Sequence, residues 1–371
     1  MFVGHEFVAF AIVGWGASRV GFDDRSARRL GIVAGLAALL PDLDVFYAVA
    51  TYALAVAGGT PLGWEAFWGV ANGVHRVVTH PLPVGVAAAL VFGLGAALSA
   101  RQRSESARPD RVGVTLFGGA VILYVAVLIR AFRGSEDQTA AVVAIAFLAV
   151  VAVVGVLVGY RTRLPTRALT AAAGVGFLTH PFGDVLLAAP PPLLSPFGPP
   201  LLTERVSLAT DPTLEILGVL FVELVAVWFG IAVAAGLGYP RESRSTSSDF
   251  RAGSGGRLLG VVDHVRRVVG RLRGLIDPRA IVGVAYAAAV FVLPRPTIVD
   301  AHVLGFTIVP LAFGVGVWVA ARARITARNV PATRTGWPNI EAVAYGAIAG
   351  LSTLTIAAVS YLSTYVLFGA V

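Results

Sequence analysis

Residues 30–57 read LGIVAGLAALLPDLDVFYAVATYALAVA, and the stretch Leu40-Pro41-Asp42-Leu43-Asp44 in the middle decides how the rest is understood. The flanks have the length and apolarity of a membrane helix, which needs about 20 residues for a hydrocarbon core of about 30 Å. A carboxylate at that depth is costly unless it pairs or binds a cation, so two of them beside a proline mark a functional site. The partners of Asp42 and Asp44 are then to be sought in the other segments.

Composition supports the membrane reading. Of 371 residues, 57% are hydrophobic and only 13% charged, and the mean hydropathy is +0.79, far from an average soluble domain. The expectation is an all-α, polytopic transmembrane bundle. Its spans, about ten on hydropathy, fall near 5–21, 30–57, 82–100, 112–132, 138–159, 168–189, 214–238, 279–294, 301–321 and 341–368. Pro41 and Pro181 are expected to break two of these helices.

The net charge of +8 comes from arginine, since there is no lysine. The arginine runs that follow the first, third, fifth, seventh and ninth spans all obey one orientation, with those loops cytoplasmic and both termini outside. Charge distributed in this way argues against nucleic acid as a partner. Without cysteine, a metal site has only His, Asp, Glu or water to draw on. The first apolar run has no basic region before it, so no cleavable signal is expected.

Three regions follow. Residues 1–238 form a seven-span core. Residues 239–278 are a basic cytoplasmic linker, Ser, Gly and Arg rich at first and then, from Arg257 to Ile276, patterned as an amphipathic helix for an anionic membrane surface. Residues 279–371 form a three-span C-terminal module.

In this topology the unusual polar residues of the core converge. Asp42 and Asp44 lie roughly 18–21 Å along the second span at 1.5 Å per residue, and Thr179-His180-Pro181-Phe182-Gly183-Asp184 sits at a similar depth in the sixth. His75-Arg76-Val77-Val78-Thr79-His80-Pro81 precedes the third span on the same outer side, and His5 begins the first. Imidazoles and carboxylates suit zinc or manganese, and seven ligands exceed one tetrahedral ion, so two ions are expected. Asp42 and Asp44, two residues apart, point about 200° apart on a regular helix. A break at Pro41 is expected to let both face one cluster. His180 and Asp184 are neighbours at i and i+4.

The order of these residues, His near the N-terminus, then Leu-Leu-Pro-Asp-Leu-Asp, then His-Arg-x-x-Thr-His, then His-x-x-x-Asp, resembles the LexA-binding, inner-membrane-associated metal-dependent hydrolase family over about residues 1–200. More distantly it is similar to zinc-dependent phospholipase C. The resemblance implies a membrane-embedded hydrolase with ligands at His5, Asp42, Asp44, His75, His80, His180 and Asp184. Family members carry a serine after the Thr-His where this chain has Pro81.

The expected chemistry is hydrolysis of a lipid-type phosphoester by a metal-activated water. Glu6 and Asp44 are the candidate bases, with Glu65 behind them, and Arg76 is placed to hold a phosphate. The rival readings are a cation- or proton-coupled transporter and a non-catalytic scaffold that keeps metal for structure. Trp64, Phe67 and Trp68 read as an interfacial belt. Glu215 and Glu223, on one face of the seventh span, read as ligands, proton carriers or partners for Arg130.

Overall fold

The computed structural model describes residues 3–74, 76–103, 111–133, 138–186, 190–238, 312–322 and 338–369. Among them there is helix and no strand. The helices in chain order are α1 (Gly4–Arg19), α2 (Asp24–Leu39), α3 (Val45–Ala57), α4 (Trp64–Val74), α5 (Leu82–Arg103), α6 (Arg111–Arg133), α7 (Gln138–Thr162), α8 (Thr166–Asp184), α9 (Pro212–Gly238), α10 (Ala312–Arg322) and α11 (Pro338–Thr364). A 3-10 turn, Leu40–Asp44, joins α2 to α3.

Six segments are long and apolar enough to cross a membrane, by length and composition: Asp24–Ala57, Leu82–Ala100, Thr115–Arg133, Ala140–Thr162, Pro212–Leu237 and Gly346–Leu367. The helices α1 and α8, which the sequence also places across the membrane, are not among the six. α1 has 16 residues, and α8 carries threonines, Arg167, His180 and Asp184 along its 19. The expected span at 279–294, most of that at 301–321 and the whole of the 239–278 linker lie outside the described residues.

The chain divides into two compact units. The first comprises Met1–Ser207 with Val225–Arg241, and the second Leu208–Leu224 with Glu242–Val371. In the first unit, Asp23 caps α2 by accepting from the backbone N–H groups of Arg25 and Ser26, both at 3.0 Å, which satisfies donors that a helix start leaves open. The buried face of α2 is small: Ala27, Gly31, Ala34, Ala37 and Ala38, with Leu30 and Val33. Small faces let backbones approach closely, the main source of packing energy between membrane helices. Gly176 of α8 lies directly on the Ala34 carbonyl of α2, and Gly155 of α7 lies on the Phe92 backbone of α5. Outward-facing Leu116, Ile122, Leu123, Val142 and Val153 are each more than half exposed, an apolar exterior that suits lipid and not water.

The two prolines behave differently. At Pro41 the α-helix is interrupted, as expected: α2 ends at Leu39, the 3-10 turn follows, and α3 starts at Val45. Pro181 does not break α8, which runs through it to Asp184. Proline removes one backbone donor and crowds the carbonyl four residues earlier. With only three helical residues left, and with Phe177, His180, Pro181 and Asp184 all buried, packing holds the last turn in place.

In the second unit, Asp211 caps α9 by accepting from Leu214 N at 2.8 Å, with Pro212 at the first helical position, where no donor is needed. Its other oxygen accepts from the Tyr365 hydroxyl, also at 2.8 Å. Leu217, Ala357 and Tyr361 form the buried contact between α9 and α11. Glu215 is explained by this unit: it is buried and accepts from Leu208 N and Ala209 N at 2.6 and 2.9 Å. That makes it an anchor for the preceding loop.

Candidate metal centre

Four separate pieces of the first unit meet at one place. The first turn of α1 supplies His5 and Glu6, the 3-10 turn supplies Asp42 and Asp44, the loop before α5 supplies Arg76, Thr79 and His80, and the last turn of α8 supplies His180 and Asp184. The small faces described above are what allow this. α2 sits close against α1 and α8, so the ends of all three helices fall within reach of one another.

The donor atoms form two groups. Asp42, His80, His180 and Asp184 each offer one atom within 4.8 Å of all the others, and so do His5, Glu6 and Asp42. Asp42 belongs to both, through different oxygens. Its Oδ1 lies 3.6 Å from His80 Nε2 and 3.5 Å from His180 Nε2, while its Oδ2 lies 3.1 Å from His5 Nε2.

The first group fits one ion closely. His80 Nε2 is 2.8 Å from His180 Nε2 and 3.1 Å from Asp184 Oδ2, and His180 Nε2 is 3.7 Å from Asp184 Oδ2. Donors at zinc-type distances of about 2.0–2.2 Å stand roughly 3.3–3.5 Å apart at the corners of a tetrahedron. The observed separations straddle that value. Two imidazole nitrogens facing each other can share only one proton, whereas a cation between them satisfies both lone pairs.

The second group has three donors, and its His5 side chain and both Glu6 oxygens are buried as well. The side chains of His80, His180 and Asp184 are at most 1% exposed, whereas Asp42 is 29% exposed and Glu6 15%. Both Glu6 oxygens make no hydrogen bond among the described residues, and the nearest positive partner is His5 Nε2 at 3.4 Å.

Asp44 takes a different place from the one expected. In a 3-10 turn, with three residues per turn, side chains two apart stand about 120° apart, so Asp42 and Asp44 meet different neighbours: Asp42 enters both donor groups, and Asp44 faces the loop before α5. Asp44 Oδ2 accepts from Arg76 N at 2.8 Å and from the Thr79 hydroxyl at 2.6 Å. Thr79 Oγ1 in turn lies 2.9 Å from His80 Nδ1. Since the Thr79 proton goes to Asp44, the Thr79 oxygen is left to accept from Nδ1–H, and this fixes the tautomer that presents a bare Nε2 to the donor group. Nothing in the sequence singled out Thr79 for this; the only signal is a hydroxyl immediately before a histidine.

Arg76 adopts φ 74°, uncommon for a residue with a side chain. This bend points its N–H at Asp44 while its side chain turns back, with Nε 3.3 Å from Asp184 Oδ2. His75 lies outside the described residues. Glu65 is exposed on α4 and belongs to neither donor group, and Phe67 stacks edge-on with Tyr52 and Trp68.

Fold and site together define a class, an all-helical chain with helices of membrane-spanning length and a buried histidine–aspartate centre. No family model, no curated protein and no solved structure matches the chain, so the reading of this centre rests on its own geometry.

Proposed function

We propose that the protein is a multi-pass membrane hydrolase that cleaves a lipid-type phosphoester with two divalent ions, zinc or manganese. The observation that carries this reading is Asp42, one carboxylate shared between a four-donor group and a three-donor group. His80, His180, Asp184 and Asp42 would hold one ion, and His5, Glu6 and Asp42 the other. Bound there, such ions supply Lewis acidity, which lowers the pKa of water and polarises phosphoryl oxygens. The mixed imidazole and carboxylate donors suit these metals better than calcium or magnesium, which prefer oxygen alone.

The chain's own residues have distinct parts to play. Glu6, with both oxygens buried and free of hydrogen bonds among the described residues, offers one oxygen as a donor and the other to take a proton from water. Arg76, beside Asp184, is the cation placed to hold a phosphoryl oxygen through its planar fork. Asp44 holds the loop and, through Thr79, the orientation of His80.

An apolar cleft of about 460 Å³, lined by Leu43, Tyr47, Val143 and Phe147 with Asp44 and Thr79, would suit a lipid chain beside the centre, although none of the donor residues lines it. That volume lies within the range of about 300–1,000 Å³ common for small-molecule sites. We place the centre toward the extracytoplasmic side of a ten-span bundle with both termini outside, on the arginine pattern.

The test is release of phosphate or headgroup from native lipid extracts by the purified, metal-loaded protein. Activity abolished by a chelator and restored by zinc or manganese is expected. Metal-dependent ion flux in liposomes without turnover would replace hydrolysis with transport, and retained metal with neither activity would leave a structural centre.

A further inference from the structure

We infer that the groove between α5 and α6 is a binding site for an anionic phospholipid, with Arg130 and Arg133 holding the headgroup. This goes beyond the proposed hydrolysis and does not depend on it. The groove has a volume of about 1030 Å³ and is apolar along its length, lined by Val91 and Leu94 of α5 and by Val121, Ile122 and Val125 of α6, among others. Among the described residues, the only charged ones lining it are Arg130 and Arg133, together at one end. An apolar trough that terminates in two cations is complementary to an amphiphile with alkyl chains and a negative head.

Three observations narrow the occupant. First, Arg130 and Arg133 are three residues apart, hence neighbours on one helix face, and both are exposed; two guanidinium forks so placed match a phosphate diester. Among the described residues neither arginine is in an ion pair. Second, these arginines lie outside the runs that set the expected orientation, and Glu136 and Asp137 follow them in the sequence. The runs that orient the protein follow odd-numbered spans, whereas Arg130 and Arg133 end the fourth, so orientation in the membrane does not account for them. Third, Ile122 and Val127, both lining residues, are 67% and 47% exposed. The groove therefore opens onto the apolar exterior, where a lipid can enter sideways.

The headgroup end is also connected to the surface near the metal centre. A second hollow is lined by Arg133, Ala141, Val142 and Ile145, and Val142 in turn lines the cleft that ends at Asp44 and Thr79. A lipid held at Arg133 therefore sits at the start of a path along α7 toward that cleft.

Native mass spectrometry of the full-length protein, with phosphatidylglycerol or phosphatidylcholine of identical chains added to the detergent-purified chain, tests the site. The wild type is expected to retain phosphatidylglycerol at lower concentration than phosphatidylcholine. Arg130→Gln/Arg133→Gln should weaken phosphatidylglycerol about 30-fold, from the contribution of two arginines near a charged headgroup, and leave phosphatidylcholine and metal content unchanged. Arg161→Gln/Arg167→Gln removes the same charge elsewhere and should keep the high-affinity adduct. Ala126→Phe, which fills the groove, should weaken both lipids. Equal binding of the two lipids by the wild type, or equal losses in the two double variants, would overturn the assignment.

Discussion

Thr79 is the residue on which the ligand character of His80 turns. Its hydroxyl donates to Asp44 at 2.6 Å and sits 2.9 Å from His80 Nδ1, so one small side chain converts a carboxylate into a preference for one imidazole tautomer. A group that hydrogen-bonds the far nitrogen of a metal-binding imidazole typically accounts for about 10–100-fold in metal affinity. Thr79→Val, which keeps the shape and removes the hydroxyl, is expected to weaken binding of the first ion by that factor, whereas Thr79→Ser should stay near wild type. Competition titration with a chromogenic chelator reads both. Identical affinities for Thr79→Val and wild type would show that Asp44 acts on His80 by some other route, or not at all.

At the level of helices, the site depends on how closely α2 and α8 approach. α2 delivers Asp42 through the 3-10 turn that follows it, and α8 delivers His180 and Asp184 from its last turn. A Cβ at Gly176 would collide with the Ala34 carbonyl and press on Ala37. Gly176→Ala should therefore push the two helices apart, at a cost of about 1–3 kcal/mol typical of overpacking, and loosen the four-donor group with them. Gly174→Ala serves as the matched control, because its Cβ would meet only the Ala89 side chain at an ordinary 3.6 Å. Thermal unfolding in detergent with and without zinc checks this. The stabilisation by zinc should shrink in Gly176→Ala and persist in Gly174→Ala; equal stabilisation in both would separate the helix contact from the site.

For the molecule as a whole, the sequence conveyed its main character through solvent logic. Long apolar segments imply helices, because only a helix satisfies every backbone group within one segment in a lipid environment. Polar residues within them then have to be explained, which is how His5, Asp42, His80, His180 and Asp184 could be gathered before any coordinates. What stayed hidden was direction. Which partners Asp42 and Asp44 meet depends on the winding of five residues around Pro41: the two approach opposite nitrogens of His80, Asp42 at Nε2 and Asp44 at Nδ1. Glu6 looked like a base because it follows a ligand histidine; that it stands within 4.8 Å of both His5 and Asp42 is a matter of helix packing, which spacing along the chain does not encode. Glu215 was misleading for a related reason. A carboxylate in an apolar helix can serve the loop that precedes it.

The shared carboxylate gives the most direct test. Elemental analysis of the full-length protein after zinc or manganese loading and gel filtration should find about two ions per chain, as in other two-metal sites. Asp42→Asn, which keeps the side-chain volume but removes the charge both groups share, should retain less than about one, whereas Asp44→Asn should approach two at higher metal concentration, consistent with a supporting role. An Asp42→Asn protein that holds its full complement of metal would contradict the account at its centre.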